Sequence, residues 1–158
     1  MKLTLRKIRV AAIAVAFSAL CNPAAYAHGY KNGTVEVKHP WVLATTDPAS
    51  TVHMKLTNVT GKPERLISAS AAVATRVSIQ SGKSATEPAA AADGQAPVAN
   101  AVTLPPKQSV VLEAAGFSLR LEGLTQPLIA YDRIAMTLVF ENSGPLEIEV
   151  MVEEAPEQ

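Results

Sequence analysis

Hydrophobic and polar residues alternate along most of the chain with the period of two that is typical of β-strands. In the clearest example, 117–122, Phe117, Leu119 and Leu121 alternate with polar residues. Successive side chains of a strand point to opposite faces of a sheet, so this pattern gives one apolar and one polar face. The same pattern returns over 134–140. Both segments are therefore predicted to be strands of a sheet with one buried face.

Turn residues separate short segments of this kind throughout the chain. Gly61-Lys62-Pro63 and Pro106-Lys107-Gln108 mark two turns, and Gly123 to Pro127 is predicted to break the strand that begins at Phe117. No segment shows convincing helical periodicity. Strands are expected at 34–38, 51–58, 66–70, 73–79, 102–105, 109–113, 117–122, 134–140 and 146–152. Many short strands with regular turn signals predict an all-β fold, a β-sandwich of about 8–9 strands.

The first 27 residues have the organisation of a Sec-type signal peptide. Basic residues within the first nine positions precede an apolar run at 10–20, and Ala25-Tyr26-Ala27 follows. A cut before His28 would leave one domain, 28–158, in the periplasm and without a membrane span. Two alternatives are a retained membrane anchor and a lipoprotein cut at Cys21, although Leu20 stands where a lipoprotein signal needs a small residue.

The segment 81–100 differs in composition from the rest of the domain. It consists mainly of Ala, Gly, Pro and Ser, with hardly any large apolar side chain. Such a segment cannot bury a face, so we expect a flexible surface loop.

Charge and cysteine content change once the signal peptide is removed. The chain has 14 Lys and Arg against 14 Asp and Glu, and four of the basic residues lie in the first nine positions. Ten therefore remain, giving a net charge of about −4, which argues against nucleic acid as a partner. Cys21, the only cysteine, leaves as well, so no disulfide or thiolate metal site is expected.

Several pieces of the chain, in order and at matching separations, resemble the periplasmic copper chaperones called PCu(A)C. These pieces are Trp41, Thr57-Asn58, Pro63 to Ser70, Ala74 to Val77, Leu104 to Gly116, Leu119, Leu121, Gly123-Leu124, Gln126 to Leu128, Leu138 and Phe140-Glu141. The resemblance spans nearly the whole mature domain, 38–152. It implies a cupredoxin-like β-sandwich that holds Cu(I) in a surface site of His and Met. It also implies delivery of that copper to the dinuclear site of a respiratory oxidase.

The residues at the family's ligand positions differ from those that the resemblance implies. Gln80 stands at the position of the first His, and Ser118-Leu119-Arg120 replaces His-x-Met. The loop 81–100, where the family supplies a Met, contains none. Cu(I) prefers thioether and imidazole ligands. Serine is a poor ligand for it, and a guanidinium, which is always charged, repels a cation. Arg120 is expected to point outward. Because these residues do not suit Cu(I), copper is a possible but unproven cofactor.

His28 and His53 are weak candidates for a different metal site. His28, as the first mature residue, would chelate Cu(II) through its α-amino group and imidazole, with His39 or His53 as partner. An incidental His in a mobile start, 28–32, is the alternative. In His53-Met54 the adjacent side chains point to opposite faces, so Met54 is predicted in the core and His53 outside it.

Four further expectations concern single residues. Trp41 is predicted to fill the core rather than form a binding platform. Pro40 favours an extended conformation for His39. Met136 fits the apolar face of its strand and Met151 the outward face.

The sequence favours a binding role over an enzyme. A nucleophile such as Ser118 would need a base, and none of the three His residues is placed near it by the pattern. The leading hypothesis is a periplasmic copper chaperone-like protein for copper handling or oxidase assembly, with the family Cu(I) site lost or rebuilt. Its partner would be a respiratory oxidase subunit or another copper protein. The alternatives are a metal-independent binding module for a protein or small ligand, and a Cu(II) binder that uses His28.

Overall fold

The computed structural model of the protein describes residues 29–82, 99–113 and 115–155, and the regular structure of these residues is all β. The predicted signal peptide, His28 and most of the predicted loop at 81–100 lie outside the described residues. The strands are β1 (Gly29–Lys31), β2 (Val35–Leu43), β3 (Ala49–Asn58), β4 (Glu64–Ala71), β5 (Ala74–Ser81), β6 (Val102–Leu104), β7 (Ser109–Leu112), β8 (Phe117–Leu124), β9 (Arg133–Phe140) and β10 (Gly144–Glu153). Within these ranges, no helix has the length and apolar character to cross a membrane.

The strands form one sheet in the order β5-β8-β7-β3-β2-β10-β9-β4-β6, with β1 paired to β2. Most neighbours are antiparallel, and β10 runs parallel to β2. Strand β5 is the first strand in this order and β4 is the last but one. The two strands contact each other, so the sheet nearly closes into a barrel. The predicted all-β class is confirmed, and all nine predicted strands are present together with the short strand β1.

The core lies inside the barrel and follows the period-two pattern of the sequence. Leu119 and Leu121 of β8 are fully buried, and they face the same interior as Met54 of β3 and Met136 of β9. A nonpolar side chain of this size contributes about 1.5–3 kcal/mol when it is fully buried. The predictions that Met54 and Met136 belong to the core are confirmed.

Two buried polar residues, Asn58 and Glu64, stand at the two ends of the turn 59–63 between β3 and β4, and we call them the turn cluster. The Asn58 side chain donates to the carbonyl oxygens of Lys62 (2.7 Å) and Leu104 (3.0 Å). Its Oδ1 accepts from the backbone N–H of Thr60 and from the Thr60 hydroxyl, each at 2.9 Å. The amide thus uses both its donor and its acceptor to hold the turn against β6.

Glu64 makes the second half of the turn cluster. Its Oε1 accepts from the backbone N–H groups of Arg65 (2.9 Å) and Asn142 (3.0 Å) and from the Asn142 side chain (3.0 Å). Its Oε2 accepts from the backbone N–H of Ser143 at 3.0 Å. Burial acts to raise the pKa of Glu64, but hydrogen bonds to the carboxylate outweigh it and lower the pKa below its usual value. The carboxylate therefore fastens the 141–143 turn to the start of β4.

Strand β8 ends at Leu124, inside the segment 123–127 that was predicted to break it, and its last turn of direction uses a left-handed φ of 62° at Gly123. A Cβ at that position would lie 2.7 Å from Thr75 Oγ1, which donates to the Gly123 carbonyl. The segment 28–32 was predicted to be mobile, and this is wrong for Gly29–Lys31, which pairs with β2 as β1.

Candidate functional site

Strands β5 and β8 bring together the residues that the resemblance predicts at the family's ligand positions. Gln80 lies directly opposite Ser118 in the antiparallel ladder, and Arg120 lies opposite Ser78. Ile79 and Leu119, which alternate with them, point into the core. Directly opposite residues of an antiparallel pair have Cβ atoms about 4.5–5.5 Å apart, so the four polar side chains form one patch outside the core. We call Ser78, Gln80, Ser118 and Arg120 the outer polar face.

The outer polar face is more buried than an outward-pointing row of polar residues would be on a solvated sheet. Ser78 is 5% exposed, and Gln80 and Ser118 are each 7% exposed. The Arg120 side chain retains 30% of its exposure. Arg120 lies on the face of the sheet that points away from the core, as expected. Its side chain is nevertheless only partly exposed.

Two polar atoms of this face are buried without a hydrogen-bond partner among the described residues, namely Ser78 Oγ and Arg120 Nε. Buried polar groups of native proteins are almost always hydrogen-bonded, because an unmade bond costs about 1–3 kcal/mol. Each unpaired group therefore needs an explanation, such as a ligand or a bound water.

The charge of the surrounding surface is positive. Glu122 Oε1 lies 3.8 Å from Arg120 Nε, and Glu122 Oε2 lies 3.8 Å from Arg76 Nε. Both distances exceed a hydrogen bond, and a single carboxylate is shared by two guanidiniums. The three side chains leave an excess of one positive charge, which disfavours a cation at this place.

The residues of the outer polar face do not fit Cu(I). An amide, two hydroxyls and a guanidinium offer neither thioether nor imidazole to a soft cation. Elsewhere in the described ranges, no group of three or more His, Cys, Asp or Glu side chains is arranged to hold a metal ion.

His53 borders the outer polar face on strand β3. Val52 pairs with Leu119, so His53 and Ser118 occupy the next position of the same register. The ring of His53 stacks on Trp41 of β2, with ring centroids 4.4 Å apart and an angle of 24°. Burial lowers the pKa of His53 below its usual value, although a hydrogen bond to the Leu112 backbone and the charge of Glu113 oppose this shift. His53 is therefore a neutral imidazole at neutral pH.

The prediction that Trp41 fills the core is wrong. Its side chain is half-buried and lies outside the core cluster, stacked on His53 and with the ring of His39 nearby. The reason is a shift of register in β2 between Lys38 and Trp41. That irregularity keeps Val42 inside and leaves the indole on the outer surface.

His39 occupies this bulge in a conformation that the sequence does not predict. Its φ is 48°, in the left-handed region, instead of the extended value that Pro40 favours. His39 Nε2 lies 3.4 Å from Glu153 Oε1 of β10. Its ring centroid is 6.4 Å from that of Trp41, so the two rings are near each other but not stacked.

A groove of about 640 Å³ opens beside His39 between β1, β2, β9 and β10. Met151, half-buried as the outward residue of its strand, lines this groove together with Glu153 and Arg133. The outward placement of Met151 is confirmed. The structure thus places His53 next to the outer polar face and His39 at the groove, while His28 lies outside the described residues.

Ser78 and the Arg76–Glu122 contact are features that the sequence analysis missed. Ser78 alternates with Val77 and Ile79, so its outward face is readable from the sequence. Its neighbour across the sheet is not readable, because the pairing of β5 with β8 joins segments about 40 residues apart. Only that pairing sets Ser78 against Arg120.

Comparison with known families and structures gives consistent results. The family described as "Putative lipoprotein LpqE-like" matches residues 35–152. The copper-bound PCuAC domain from PmoF2 is 25% identical with a TM-score of 0.67, covering 81% of this chain and 99% of that one. The apo PCuAC domain from PmoF1 is 24% identical with a TM-score of 0.68, covering 81% and 100%.

The Cu(I) form of DR1885 from Deinococcus radiodurans is 21% identical, with a TM-score of 0.60 and coverage of 75% and 77%. No curated protein sequence matches the chain. The resemblance to PCu(A)C proteins and the cupredoxin-like fold are thus confirmed.

Proposed function

Because this chain belongs to the LpqE-like family, we propose that it is an exported protein of PCuAC type that serves copper handling or oxidase assembly without holding Cu(I) at the family's ligand positions. It acts in the periplasm by binding a partner, and it is not an enzyme. The partner is a respiratory oxidase subunit or another copper protein.

The scaffold supports a role in copper handling. The PmoF2 domain is copper-bound and shares one quarter of its residues with this chain over nearly its whole length. DR1885, which binds Cu(I), has the same fold at lower identity. The signal-like segment 1–27 supports export.

One observation carries the loss of the Cu(I) site, namely the set of side chains that β5 and β8 bring together. Gln80 faces Ser118, and Arg120 follows on the same face. Each differs from the ligands that soft Cu(I) prefers, and the guanidinium of Arg120 adds a positive charge where the ion would have to sit. A domain of this kind contacts its partner through its surface rather than through a carried ion.

Cu(I) competition against a chromophoric chelator tests this proposal. The purified protein, with its N-terminus established by mass spectrometry, should leave Cu(I) with the chelator. Ser118→His with Arg120→Met should gain measurable binding, and adding Gln80→His should strengthen it, because position 80 lies opposite position 118. Arg65→Met is the matched control, since Arg65 is an exposed arginine elsewhere on the sheet.

Three results would contradict the proposal. Tight Cu(I) binding by the unaltered protein that His53→Ala abolishes would mean that the site has been rebuilt around His53. Cu(II) binding that His28→Ala abolishes would place metal at the N-terminus. Failure of the triple variant to bind Cu(I) would show that these three positions are not the ancestral site.

A further inference from the structure

We infer that the outer polar face is a binding site for a carboxylate, which accepts hydrogen bonds from Arg120 and Ser78. This site goes beyond the proposed role in copper handling and does not depend on it, since no step of it involves a metal.

The first reason is the pair of unsatisfied donors. Ser78 Oγ and Arg120 Nε are each buried, and neither has a hydrogen-bond partner among the described residues. Their residues are direct partners across the β5–β8 ladder, so both groups lie at one place on the face. Two unpaired donors side by side indicate one shared acceptor rather than two separate defects.

The second reason is the charge. Arg120 and Arg76 share Glu122 at 3.8 Å each, so the nearest carboxylate does not complete a hydrogen bond with either guanidinium nitrogen. On the other side of Arg120, its ladder partner on β3 is Thr51, which is uncharged. One negative charge would therefore balance this surface.

The third reason is the shape of the donors. A guanidinium presents its N–H groups in a planar fork that matches the two oxygens of a carboxylate. The Ser78 hydroxyl adds a donor beside that fork, and Gln80 and Ser118, each 7% exposed, close the far end with neutral polar groups. A phosphate dianion fits less well, because its second charge would face Glu122 without a balancing cation.

The carboxylate could belong to a small organic acid or to an acidic side chain of a protein partner. The two sources share the chemistry of the site, and a titration distinguishes them. In the ¹H–¹⁵N spectrum of the purified protein, the Nε–H signal of Arg120 should shift saturably with sodium acetate and not with sodium chloride at equal ionic strength. The Nε–H signal of Arg133, which pairs with Glu149 at 3.2 Å on the exposed surface, is the internal control.

A blocked tetraglutamate peptide forms the second arm of the titration. If the source is an acidic protein segment, the peptide should bind severalfold more tightly than acetate. Arg76→Gln should then weaken the binding of the peptide more than the binding of acetate. If the source is a small acid, acetate and the peptide should bind alike when compared per carboxylate. Either result supports the carboxylate site.

Two variants make the inference falsifiable. Arg120→Gln should abolish the saturable binding of acetate, which is followed in this variant on the backbone amides of β5. Ser78→Ala should weaken acetate binding about fivefold, the effect of about one hydrogen bond. It should not lower the thermal midpoint, because it removes a buried hydroxyl that has no partner. Acetate binding that is absent, or unchanged in both variants, would overturn the site and leave a buried water as the partner of these donors.

Discussion

The turn cluster and the outer polar face both bury polar side chains, but they differ in how completely these are hydrogen-bonded. Asn58 and Glu64 of the turn cluster have partners for each of their polar atoms, at 2.7–3.0 Å. On the outer polar face, Ser78 Oγ and Arg120 Nε have none among the described residues. A satisfied network fixes structure, whereas a buried donor without a partner needs a ligand or a water to satisfy it. The comparison thus separates polar residues that hold the fold from polar residues available for binding.

Of the substitutions that test this comparison, Asn58→Ala should change the stability of the protein most. It leaves two carbonyl oxygens and the Thr60 N–H without their partner in the interior, so the free energy of unfolding should fall by about 3 kcal/mol. Chemical denaturation measures this change, and Asn100→Ala, at an exposed asparagine, is the control. A loss no greater than that of the control would mean that the turn cluster does not hold the turn.

Glu64→Gln should have a somewhat smaller effect, about 2 kcal/mol, because the amide keeps one acceptor but turns an N–H₂ group toward a backbone donor. The pKa of Glu64 is lowered in the folded protein. Its stabilisation is therefore fully present above the pKa of the unfolded chain and is lost as pH falls through the lower folded pKa.

The stability difference between the unaltered protein and Glu64→Gln should accordingly shrink as the pH falls below about 4.5, the ordinary pKa of a glutamate, and through the lower pKa of the folded state. Denaturation at several pH values measures it, with Glu147→Gln as the exposed control. A difference that stays constant over this range would contradict the hydrogen-bonded carboxylate. The two regions differ in the sign of the expected change in the free energy of unfolding. Glu64→Gln should lower it, whereas Ser78→Ala is expected to leave it unchanged or raise it.

The smallest effect concerns the border of the outer polar face, where His53 stacks on Trp41. Trp41 is the only tryptophan, so the tryptophan fluorescence of the protein comes from this indole. Burial lowers the pKa of His53, and an imidazolium quenches a neighbouring indole. Fluorescence should therefore fall on acidification with a midpoint below about pH 6.5.

Two substitutions check the assignment of that transition. His53→Gln should remove it, and His39→Gln should leave its midpoint in place, because His39 is 6.4 Å from the indole and not stacked on it. If the transition is lost in His39→Gln and kept in His53→Gln, the quenching imidazolium is His39, and the assignment to His53 is wrong.

Much of the fold follows from local pattern. The nine predicted strands exist, and Met54, Met136 and Met151 lie on the predicted sides, because the period of two depends only on neighbouring residues. The errors lie where tertiary contacts override local preference. A bulge turns Trp41 outward and holds His39 at a positive φ, where the sequence predicted a core tryptophan and an extended histidine.

By itself the sequence determined the all-β fold and the resemblance to PCu(A)C proteins, and it predicted that Gln80, Ser118 and Arg120 stand at the ligand positions of that family. Only the tertiary structure decided that Gln80 faces Ser118, that Ser78 faces Arg120, and that two of their donors are buried without partners. The physical reason is that alternation along a strand fixes the face of each side chain. Its neighbours across the sheet are fixed by pairing between segments distant in the chain, and no local pattern encodes that pairing.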